Sequence, residues 1–535
     1  MTNTEWWRTA VVYQIYIRSF ADSDGDGIGD INGIRNRLGY LRSLGVDAIW
    51  ITPWYPSPLL DGGYDVSDYR NINELFGSLD EAATLIEEAH DRGIRVIIDL
   101  VPNHTSWDHE WFREAIASAK GSRARSRYHF AKGKGWRGRR PPTNWQSVFG
   151  GSTWERLSDG AWYLHIFDKS QPDLNWENEE VQAEFDEIIR FWLDRGVDGL
   201  RIDVAHGMIK DPGFPDIRDR SAMLDSINAE DHPFWDRPGI HDINRRWRAV
   251  LDEYDDRMMV AEAWVNSDRL RDYLRPDEYH QSFNFDLLSA PWDADEFAAA
   301  IERAVTNAEV VGASPTWVLS NHDVMRHVTR YALPEGADWR RWPVTGPHDI
   351  LDEELGRRRA RSAVMITLAL PGSAYLYQGE ELGLPEVWDL PEHVLDDPTW
   401  ERTSHEERGR DGCRVPVPWT TDGPSLGFGE GDAWLPQPPG FALLAVARQA
   451  DAPESMLAHY RRLLARRRDW LLGDQSVVIE VDDQVLTISR ESGPRCVVNM
   501  GDQPVSLPSG VVVEASEAID GTLPPDCAVW LATGE

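Results

Sequence analysis

The string GLRIDVAH, from Gly199 to His206, begins as an apolar, β-branched run and ends in polar side chains. Three other strings are built in the same way: DLVPNH (Asp99 to His104), VAEAW (Val260 to Trp264) and SNHD (Ser320 to Asp323). A short apolar run predicts a buried strand, and its last residues reach solvent where the strand ends. The four strings therefore predict carboxylates and imidazoles collected at one edge of a parallel sheet.

Strand-like runs of this kind alternate with amphipathic, helix-like segments along most of the chain. Such alternation is typical of parallel strands with crossover helices, and eight units can close into a (β/α)8 TIM barrel. The sequence therefore predicts an α/β fold built on this barrel. The eight candidate strands are VVYQIYI, DAIWITP, RVIIDLV, DGLRIDV, MMVAEAW, QSFNFDL, TWVLSNHD and AYLYQGE.

Two stretches interrupt the alternation. Residues 105–175, after the third strand, are rich in Trp, Gly, Arg and Pro and are too long for an ordinary connection, so they predict a small inserted B domain. Residues 381–452, near the eighth strand, are again rich in Pro and Gly and predict a second insertion. We expect a first barrel part at 1–104, a second barrel part at 176–470 that contains this insertion, and a C-terminal antiparallel β-domain at 471–535.

The composition excludes some classes of partner. The chain has 535 residues and a formal net charge of −35, which opposes binding to the phosphate backbone of a nucleic acid. The N-terminus lacks the basic and apolar segments of a signal peptide, and no apolar run is long enough to span a membrane. We therefore expect a cytoplasmic protein that acts on a small molecule and binds neither nucleic acid nor a membrane. The sequence does not predict its oligomeric state.

Four carboxylates, Asp99, Asp203, Glu262 and Asp323, fall at the predicted ends of strands three, four, five and seven. In a barrel these ends form the mouth, where catalytic groups collect. A single Asp at a strand end is more often a helix cap, but four carboxylates at matching positions favour a shared pocket. Arg201 precedes Asp203 by two residues, so both side chains face one side of the strand, and the guanidinium should keep the Asp203 carboxyl ionised.

The four strings, in this order, resemble the signature regions of the α-amylase family of glycoside hydrolases. The resemblance implies that Asp203 is the nucleophile, Glu262 the general acid/base and Asp323 a stabiliser of the transition state. A retaining glycosidase needs one ionised and one protonated carboxyl, about 5 to 5.5 Å apart, which suits the first two roles. The resemblance also implies that His104 and His322 hydrogen-bond hydroxyls of the sugar.

Two further segments resemble the α-glucosidase and oligo-1,6-glucosidase branch of the family: QPDLNWEN, from Gln171 to Asn178, and SPLLDGGYDVSDY. In the second segment Tyr64 matches an aromatic platform under the sugar, and Asp61 matches the Asp that binds the terminal glucose. The expected partner of Asp61 is Arg410, with Arg414 as the alternative. Such a pair holds the hydroxyls of a chain end and closes the pocket. The other interpretation is a surface ion pair that contributes little.

Two further residues are expected to line this pocket. Val204, directly after the expected nucleophile, occupies the position that distinguishes linkages in this branch, and Val resembles the α-1,6-active enzymes. The residues that follow, AHGMIKDP, differ from the usual oligo-1,6-glucosidase continuation, so we expect activity on both α-1,4 and α-1,6 bonds. Phe149, in the predicted B domain, is expected to form a wall of the cleavage subsite.

The string DSDGDGIGD predicts a cation site in the loop after the first strand. Its carboxylates alternate with glycines that permit a tight curl, and hard oxygen ligands favour Ca²⁺ or Mg²⁺. An EF-hand is the wrong motif, because its twelfth position, normally Glu, is Gly33. The oligo-1,6-glucosidase branch carries such a structural site, with a backbone carbonyl as a further ligand; the alternative is an acidic turn without metal. The expected ligands are Asp22, Asp24, Asp26, Ile28 and Asp30.

Taken together, these features predict a retaining, exo-acting α-glucosidase. It would hydrolyse the terminal non-reducing α-linked glucose of short oligosaccharides or α-glucosides through a covalent glucosyl–Asp203 intermediate. The alternative is an α-glucosyltransferase, or a sucrose or trehalose isomerase, that uses the same intermediate. A non-catalytic relative or a pure binding module is disfavoured, because no carboxylate of the expected triad is missing.

Overall fold

The computed structural model describes residues 5–219, 223–227, 231–470, 476–490 and 493–532. Eight parallel strands at its centre form a nearly closed barrel, which confirms the predicted fold class. The strands of the described chain are β1 (Val11–Ile15), β2 (Ala48–Ile51), β3 (Arg95–Leu100), β4 (Phe130–Lys132), β5 (Trp154–Arg156), β6 (Ala161–Leu164), β7 (Gly199–Ile202), β8 (Met258–Ala261), β9 (Gln281–Ser282), β10 (Thr316–Val318), β11 (Ser373–Tyr377), β12 (Val478–Asp482), β13 (Val485–Ser489), β14 (Arg495–Asn499), β15 (Val505–Ser506), β16 (Val511–Ala515), β17 (Thr522–Leu523) and β18 (Cys527–Ala532).

The barrel strands follow the order β10-β11-β1-β2-β3-β7-β8-β9. The strands at the two ends of this order are linked by Thr316, whose Oγ1 donates a 2.6 Å hydrogen bond to the Ser282 carbonyl. β9 is only two residues long, although its sequence predicts a strand of seven. The run is cut short because Asn284 caps the next helix, its side chain accepting from the Asp286 amide.

Helices connect the barrel strands and cover them from outside. Asp30 caps the start of α1, and its side chain accepts from the Gly33 amide. Gly45, in the left-handed conformation, caps the end of this helix. No helix in the described part of the chain is long and apolar enough to cross a membrane. The helices are α1 (Ile31–Leu44), α2 (Leu79–Asp91), α3 (Glu110–Ala117), α4 (Arg123–Ser126), α5 (Glu179–Leu193), α6 (Ile240–Leu251), α7 (Ser267–Tyr273), α8 (Phe285–Ser289), α9 (Ala294–Val311), α10 (His327–Arg330), α11 (Trp342–Thr345), α12 (Glu353–Ala369), α13 (Thr399–Arg402), α14 (Phe441–Leu444), α15 (Val446–Gln449) and α16 (Met456–Trp470).

A small antiparallel sheet lies between β3 and β7 in the chain, in the order β4-β6-β5. Its buried Trp154 packs near Trp145, and the Trp145 ring lies 4.9 Å from the ring of Phe234. The Trp145 indole also donates a 2.7 Å hydrogen bond to the Pro215 carbonyl. These contacts fasten the small sheet to the loop that follows β7, at the carboxyl end of the barrel strands.

The segment 381–452 consists of turns, short 3-10 helices and the short helices α13, α14 and α15. It runs beside the loop that follows β1. The Val417 amide donates to the Ser19 carbonyl at 3.0 Å, and the Trp419 indole donates to the Phe20 carbonyl at 2.8 Å. The segment thereby reaches the same end of the barrel as the small sheet.

The C-terminal strands form an antiparallel sheet in the order β12-β13-β14-β18-β16, with β15 and β17 as a separate pair. This confirms the predicted C-terminal antiparallel β-structure. The sheet packs on α12, where the Trp530 indole donates to the Met365 carbonyl at 3.0 Å and Ser362 Oγ donates to the Asp526 carbonyl at 2.7 Å. The expected domain boundary at residue 471 lies outside the described residues.

Candidate active site

Arg201, on β7, lies at the centre of the barrel mouth and is only 2% exposed. Its Nη1 atom is 2.7 Å from Asp99 Oδ1 and 2.6 Å from Asp203 Oδ1. Its Nη2 atom is 3.3 Å from Glu262 Oε2. The parallel register places Asp99 of β3 beside Arg201, and both other carboxylates directly follow their strands, β7 and β8. One guanidinium therefore gathers three of the four carboxylates that the sequence predicts for the site.

Burial shifts the pKa values of carboxyls in this cluster. It raises the pKa of the Asp203 carboxyl well above its ordinary value; Arg201 lowers this pKa, but the charges of Glu262 and Asp99 raise it again. Arg201 acts on Asp203 in the expected direction, but desolvation outweighs the ion pair, so the net pKa is raised. Burial also raises the pKa of Asp99 to about 6. Because Asp203 and Asp99 share one guanidinium, the protonation of one depends on that of the other.

Both oxygens of the Glu262 carboxyl accept hydrogen bonds. The Val204 amide donates to Oε2 at 2.8 Å, and the Trp264 indole donates to Oε1 at 2.8 Å. Val204 has φ +47°, a left-handed conformation that β-branched residues rarely adopt. The turn directs its amide at Glu262, so the backbone after β7 helps to orient the carboxyl that follows β8.

Asp323, in the loop after β10, lies among cationic groups. Its Oδ1 is 3.1 Å from Arg410 Nη1 and 3.2 Å from Arg414 Nη2, and its Oδ2 is 3.3 Å from His322 Nε2. Burial acts to raise the pKa of Asp323, but His322, Arg410 and Arg414 outweigh it, so the pKa is lowered. Because burial holds the pKa of His322 itself well below its usual value, the two guanidiniums carry this effect at neutral pH. Asp323 is therefore an ionised carboxylate.

Tyr64 and His322 form a stacked pair in the floor of the site. Their ring centroids are 5.2 Å apart and the planes differ by 8°. The Tyr64 hydroxyl donates to Asp99 Oδ2 at 3.1 Å, and Gln14 Nε2 lies 2.6 Å from His322 Nδ1. The pair is thus a rigid aromatic surface beside the carboxylate cluster.

Asp61 and Arg410 form an ion pair at one end of the site. Arg410 Nη2 lies 2.6 Å from Asp61 Oδ1, and Asp61 is 4% exposed. Gln171 Nε2 lies 2.9 Å from Asp61 Oδ2 and 3.1 Å from Nε2 of His104. Arg414 has other partners, since its Nε donates to the His322 carbonyl at 2.9 Å. The geometry pairs Asp61 with Arg410, the first of the two candidate arginines.

Phe149 lies beside this ion pair and is 6% exposed. The Arg410 guanidinium carbon is 5.2 Å from the centre of its ring, and the Phe167 ring is 5.8 Å away. Phe167 in turn lies 5.2 Å from the ring of His104. The loops around the small sheet therefore supply an aromatic wall to the closed end of the site.

Several residues that hold the site together were not among the predicted site residues. Asp397, in the segment 381–452, binds Arg410 Nε; its burial opposes ionisation, but Arg410 and Arg414 hold its pKa at about 2. Lys210 is buried, with Nζ 2.7 Å from Asp173 Oδ2 and 2.6 Å from Asn103 Oδ1. The single Lys in AHGMIKDP could have indicated the contacts that Lys210 makes. Asp397 lies in a loop without any strand-end pattern, so no sequence signal indicated it.

The acidic loop brings only part of its expected ligand set together. Carboxylate oxygens of Asp22, Asp24 and Asp30 lie within 4.8 Å of one another, whereas Asp26 is outside this group. Backbone amides already bond all three: Gly25 donates to Asp22 at 2.7 Å, Asp26 donates to Asp24 at 3.2 Å and Gly33 donates to Asp30 at 2.7 Å. Three clustered carboxylates fit a hard cation, since Ca²⁺ and Mg²⁺ prefer oxygen ligands.

The model of the family described as "Alpha amylase, catalytic domain" matches residues 14–473, which include the whole site. The chain belongs to the α-amylase family. It is a glycoside hydrolase of family 13, as the signature strings predict. This α-amylase family member is 38% identical to a probable alpha-glucosidase of Rhizobium meliloti (strain 1021), over 93% of this chain and 90% of the relative.

Two more members of the α-amylase family are similar along almost their full lengths. The oligo-1,6-glucosidase of Parageobacillus thermoglucosidasius is 35% identical, over 96% of this chain and 94% of its own. The crystal structure of the alpha-glucosyl transfer enzyme XgtA is 36% identical, with a TM-score of 0.84, and covers 99% of this chain and 100% of its own. The relatives thus include hydrolases and a transfer enzyme on the same fold.

Proposed function

We propose that this chain is a retaining, exo-acting α-glucosidase that hydrolyses the terminal non-reducing α-linked glucose of short oligosaccharides or α-glucosides. The observation that carries the proposal is the Asp61–Arg410 pair, 2.6 Å apart, whose guanidinium also contacts Asp323. The pair stands at one end of the site and offers charged partners to the hydroxyls of a terminal sugar. A pocket closed in this way admits chain ends and excludes a further sugar.

In the proposed mechanism, an oxygen of ionised Asp203 attacks the anomeric carbon while protonated Glu262 gives its proton to the leaving glycosidic oxygen. The bond to the aglycone breaks and a glucosyl–Asp203 ester forms. Ionised Glu262 then takes a proton from water, which attacks the same carbon and releases Asp203. Arg201 touches both carboxyls, so it supports the close spacing that double displacement needs.

The remaining residues supply binding and charge stabilisation. Ionised Asp323 would offset the positive charge that develops on the sugar ring in an oxocarbenium-like transition state. The stacked Tyr64–His322 pair offers a platform to the apolar face of the sugar. His104 and Gln171 supply hydrogen-bonding groups at the closed end, next to Asp61.

Time-resolved product analysis on maltose, isomaltose, sucrose and trehalose tests the proposal. We expect glucose as the main product, released first as the α-anomer because two displacements retain configuration. Nuclear magnetic resonance of the anomeric protons distinguishes the anomers within the first minutes. Initial release of the β-anomer, or cleavage inside a chain capped at its non-reducing end, would reject the proposal.

The alternative function is glucosyl transfer, which uses the same intermediate but a sugar or alcohol in place of water. The similarity to the alpha-glucosyl transfer enzyme XgtA favours it. Transfer would appear in the same experiment as trisaccharides that accumulate from concentrated maltose, and isomerisation as a rearranged disaccharide from sucrose or trehalose.

Val204 is the residue through which we propose to test linkage preference. Its buried side chain packs in a cluster with Trp235 beside the carboxylates. We expect Val204→Thr to lower the ratio of isomaltose to maltose hydrolysis, because a hydroxyl replaces a methyl group in the apolar wall. The measurement is kcat/KM on both disaccharides; an unchanged ratio would show that Val204 does not select the linkage.

We also propose that the acidic loop binds a structural Ca²⁺ or Mg²⁺ through Asp22, Asp24 and Asp30, with Asp26 and the Ile28 carbonyl as further candidates. The loop precedes α1 and one candidate ligand caps that helix, so binding would stabilise the start of α1. We expect EDTA to lower the Tm by several degrees and Ca²⁺ to restore it, because a ligand bound only to the folded state stabilises that state.

Asp24→Asn is the matched variant for the cation experiment, since Asp24 is exposed and is not a helix cap. We expect its Tm to respond less to EDTA and Ca²⁺ than that of the wild type, with little change in the turnover of folded enzyme. An identical Tm in EDTA, Ca²⁺ and Mg²⁺ for the wild type would reject the cation site.

A further inference from the structure

We infer that Trp264 is a positioning residue that controls when Glu262 can carry a proton. Its indole N–H holds Oε1 of Glu262 in the free site, and it releases that oxygen when Glu262 becomes the proton donor. The inference rests on the proposed role of Glu262 as general acid/base and adds to it a residue that acts through Glu262.

The argument starts from the two oxygens of one carboxyl group. Oε1 and Oε2 each accept an N–H donor at 2.8 Å, from the Trp264 indole and the Val204 amide. An indole nitrogen only donates, and so does a backbone amide. Both contacts therefore favour the ionised carboxylate, whereas the first step of a retaining mechanism needs a proton on one of these oxygens. A proton on one oxygen makes that oxygen a weaker acceptor, so one of the two contacts has to weaken.

Burial indicates which donor yields. The Val204 amide belongs to a buried turn, and Arg201, 3.3 Å from the same Oε2 atom, is 2% exposed and bonded to two other carboxylates. Trp264 is half-buried, and its ring lies flat on Phe285, with centroids 3.8 Å apart and 10° between the planes. Trp264 is the more exposed of the two donor residues, since Val204 is 5% exposed. Oε1 is therefore the oxygen that takes the proton and meets the leaving group.

The charges around Glu262 oppose one another, so a single neutral donor has a measurable effect. The Arg201 guanidinium lies 3.3 Å from Glu262 Oε2, and the same guanidinium binds the carboxyls of Asp99 and Asp203. The His206 ring lies near the Glu262 backbone and is neutral, because burial lowers its pKa to about 3. The titratable and charged groups packed around the Glu262 and Asp203 carboxyls, besides these two, are Arg201, Asp99, Asp323 and His206.

The two steps of the proposed reaction use this contact in opposite ways. Glycosylation needs protonated Glu262, which the indole disfavours. Deglycosylation needs ionised Glu262, which the indole stabilises while water approaches. Trp264 thus affects the equilibrium between the protonated and ionised forms of Glu262, and the pH range of activity should depend on its N–H group.

Trp264→Phe tests the inference, because Phe keeps a ring against Phe285 but removes the donor. We expect the basic limb of the pH profile of kcat/KM for maltose to move up by roughly half to one pH unit, with the acidic limb unchanged. Maltose is the substrate of choice because its poor leaving group needs the proton. Trp264→His, which restores a ring N–H, should return the basic limb towards its original position.

Phe285→Leu is the matched control, since it removes the stacked ring and keeps the indole donor. We expect it to leave both limbs in place, whatever its effect on rate. The inference is overturned if the basic limb of Trp264→Phe does not move, or if Phe285→Leu moves it equally. Full activity of Glu262→Gln would instead reject the proposed function, so the two failures are distinguishable.

A measurement on the unmodified chain covers the case in which Trp264→Phe does not fold. With ¹⁵N-labelled tryptophan, the Trp264 indole signal should shift with pH at the midpoint of the basic limb, and this shift should be absent in Glu262→Gln. An indole signal that does not respond to pH in the wild type would overturn the inference.

Discussion

Asp203→Ala is expected to lower kcat/KM for maltose by about 10⁴-fold or more, because loss of a catalytic nucleophile removes the covalent route. The side chain is 6% exposed and bonded to Arg201, which fixes its position at the barrel mouth. Initial rates of glucose release measure the loss, and a Tm close to that of the wild type shows that the variant is folded.

Azide distinguishes the role of Asp203 from that of Glu262. In Asp203→Ala, azide can enter the space of the missing carboxylate and attack an α-glucosyl fluoride from the opposite face, which gives β-glucosyl azide. In Glu262→Ala, the glucosyl–Asp203 ester still forms from the fluoride, and azide in place of water gives α-glucosyl azide. The same anomer from both variants, or full activity of Asp203→Ala, would contradict the proposed division of roles.

Asp61→Ala is the second variant for which we expect a large loss of kcat/KM. We expect kcat/KM for maltose and isomaltose to fall by about 10² to 10³-fold, because charge-assisted hydrogen bonds to the terminal sugar are lost and Arg410 is no longer held by Asp61. Arg410 would keep its bonds to Asp323 and Asp397 but lose its 2.6 Å partner, and the sugar would lose a carboxylate acceptor. The measurement is kcat/KM on both disaccharides.

A remote ion pair provides the control for Asp61. Arg246 lies 2.6 Å from Asp186, where α6 packs against α5, and the pair is partly exposed. Arg246→Gln should leave kcat/KM within about twofold, since partly exposed pairs contribute little. Hydrolysis of maltose and isomaltose that is unaffected by Asp61→Ala would show that the pair does not bind the terminal sugar.

Several features of the site are local in sequence and could therefore be predicted. An apolar run that ends in a polar residue defines a strand end, and eight such runs with helices between them define a barrel. The spacing between Arg201 and Asp203 places both on one face of β7, as the structure shows. Asp61 and Tyr64 lie in one short loop, so their common position at the mouth also follows from the chain order.

Other features depend on residues that are far apart in the chain. The pKa of Asp203 is raised because strands from three parts of the chain exclude water and place Glu262, Asp99 and Asp323 nearby. Arg410 and Arg414 are four residues apart in one short turn, and the tertiary structure alone decided that the first meets Asp61.

The sequence by itself determined the barrel, the order of its strands and the carboxylates at their ends, because side-chain periodicity and the residues at strand ends are local features of the sequence. Only the tertiary structure decided which arginine meets Asp61, which donors hold each oxygen of Glu262, and whether burial or charge prevails in the pKa of each carboxyl. The physical reason is that desolvation and hydrogen-bond geometry depend on atoms brought together from distant segments, which no single stretch of sequence contains.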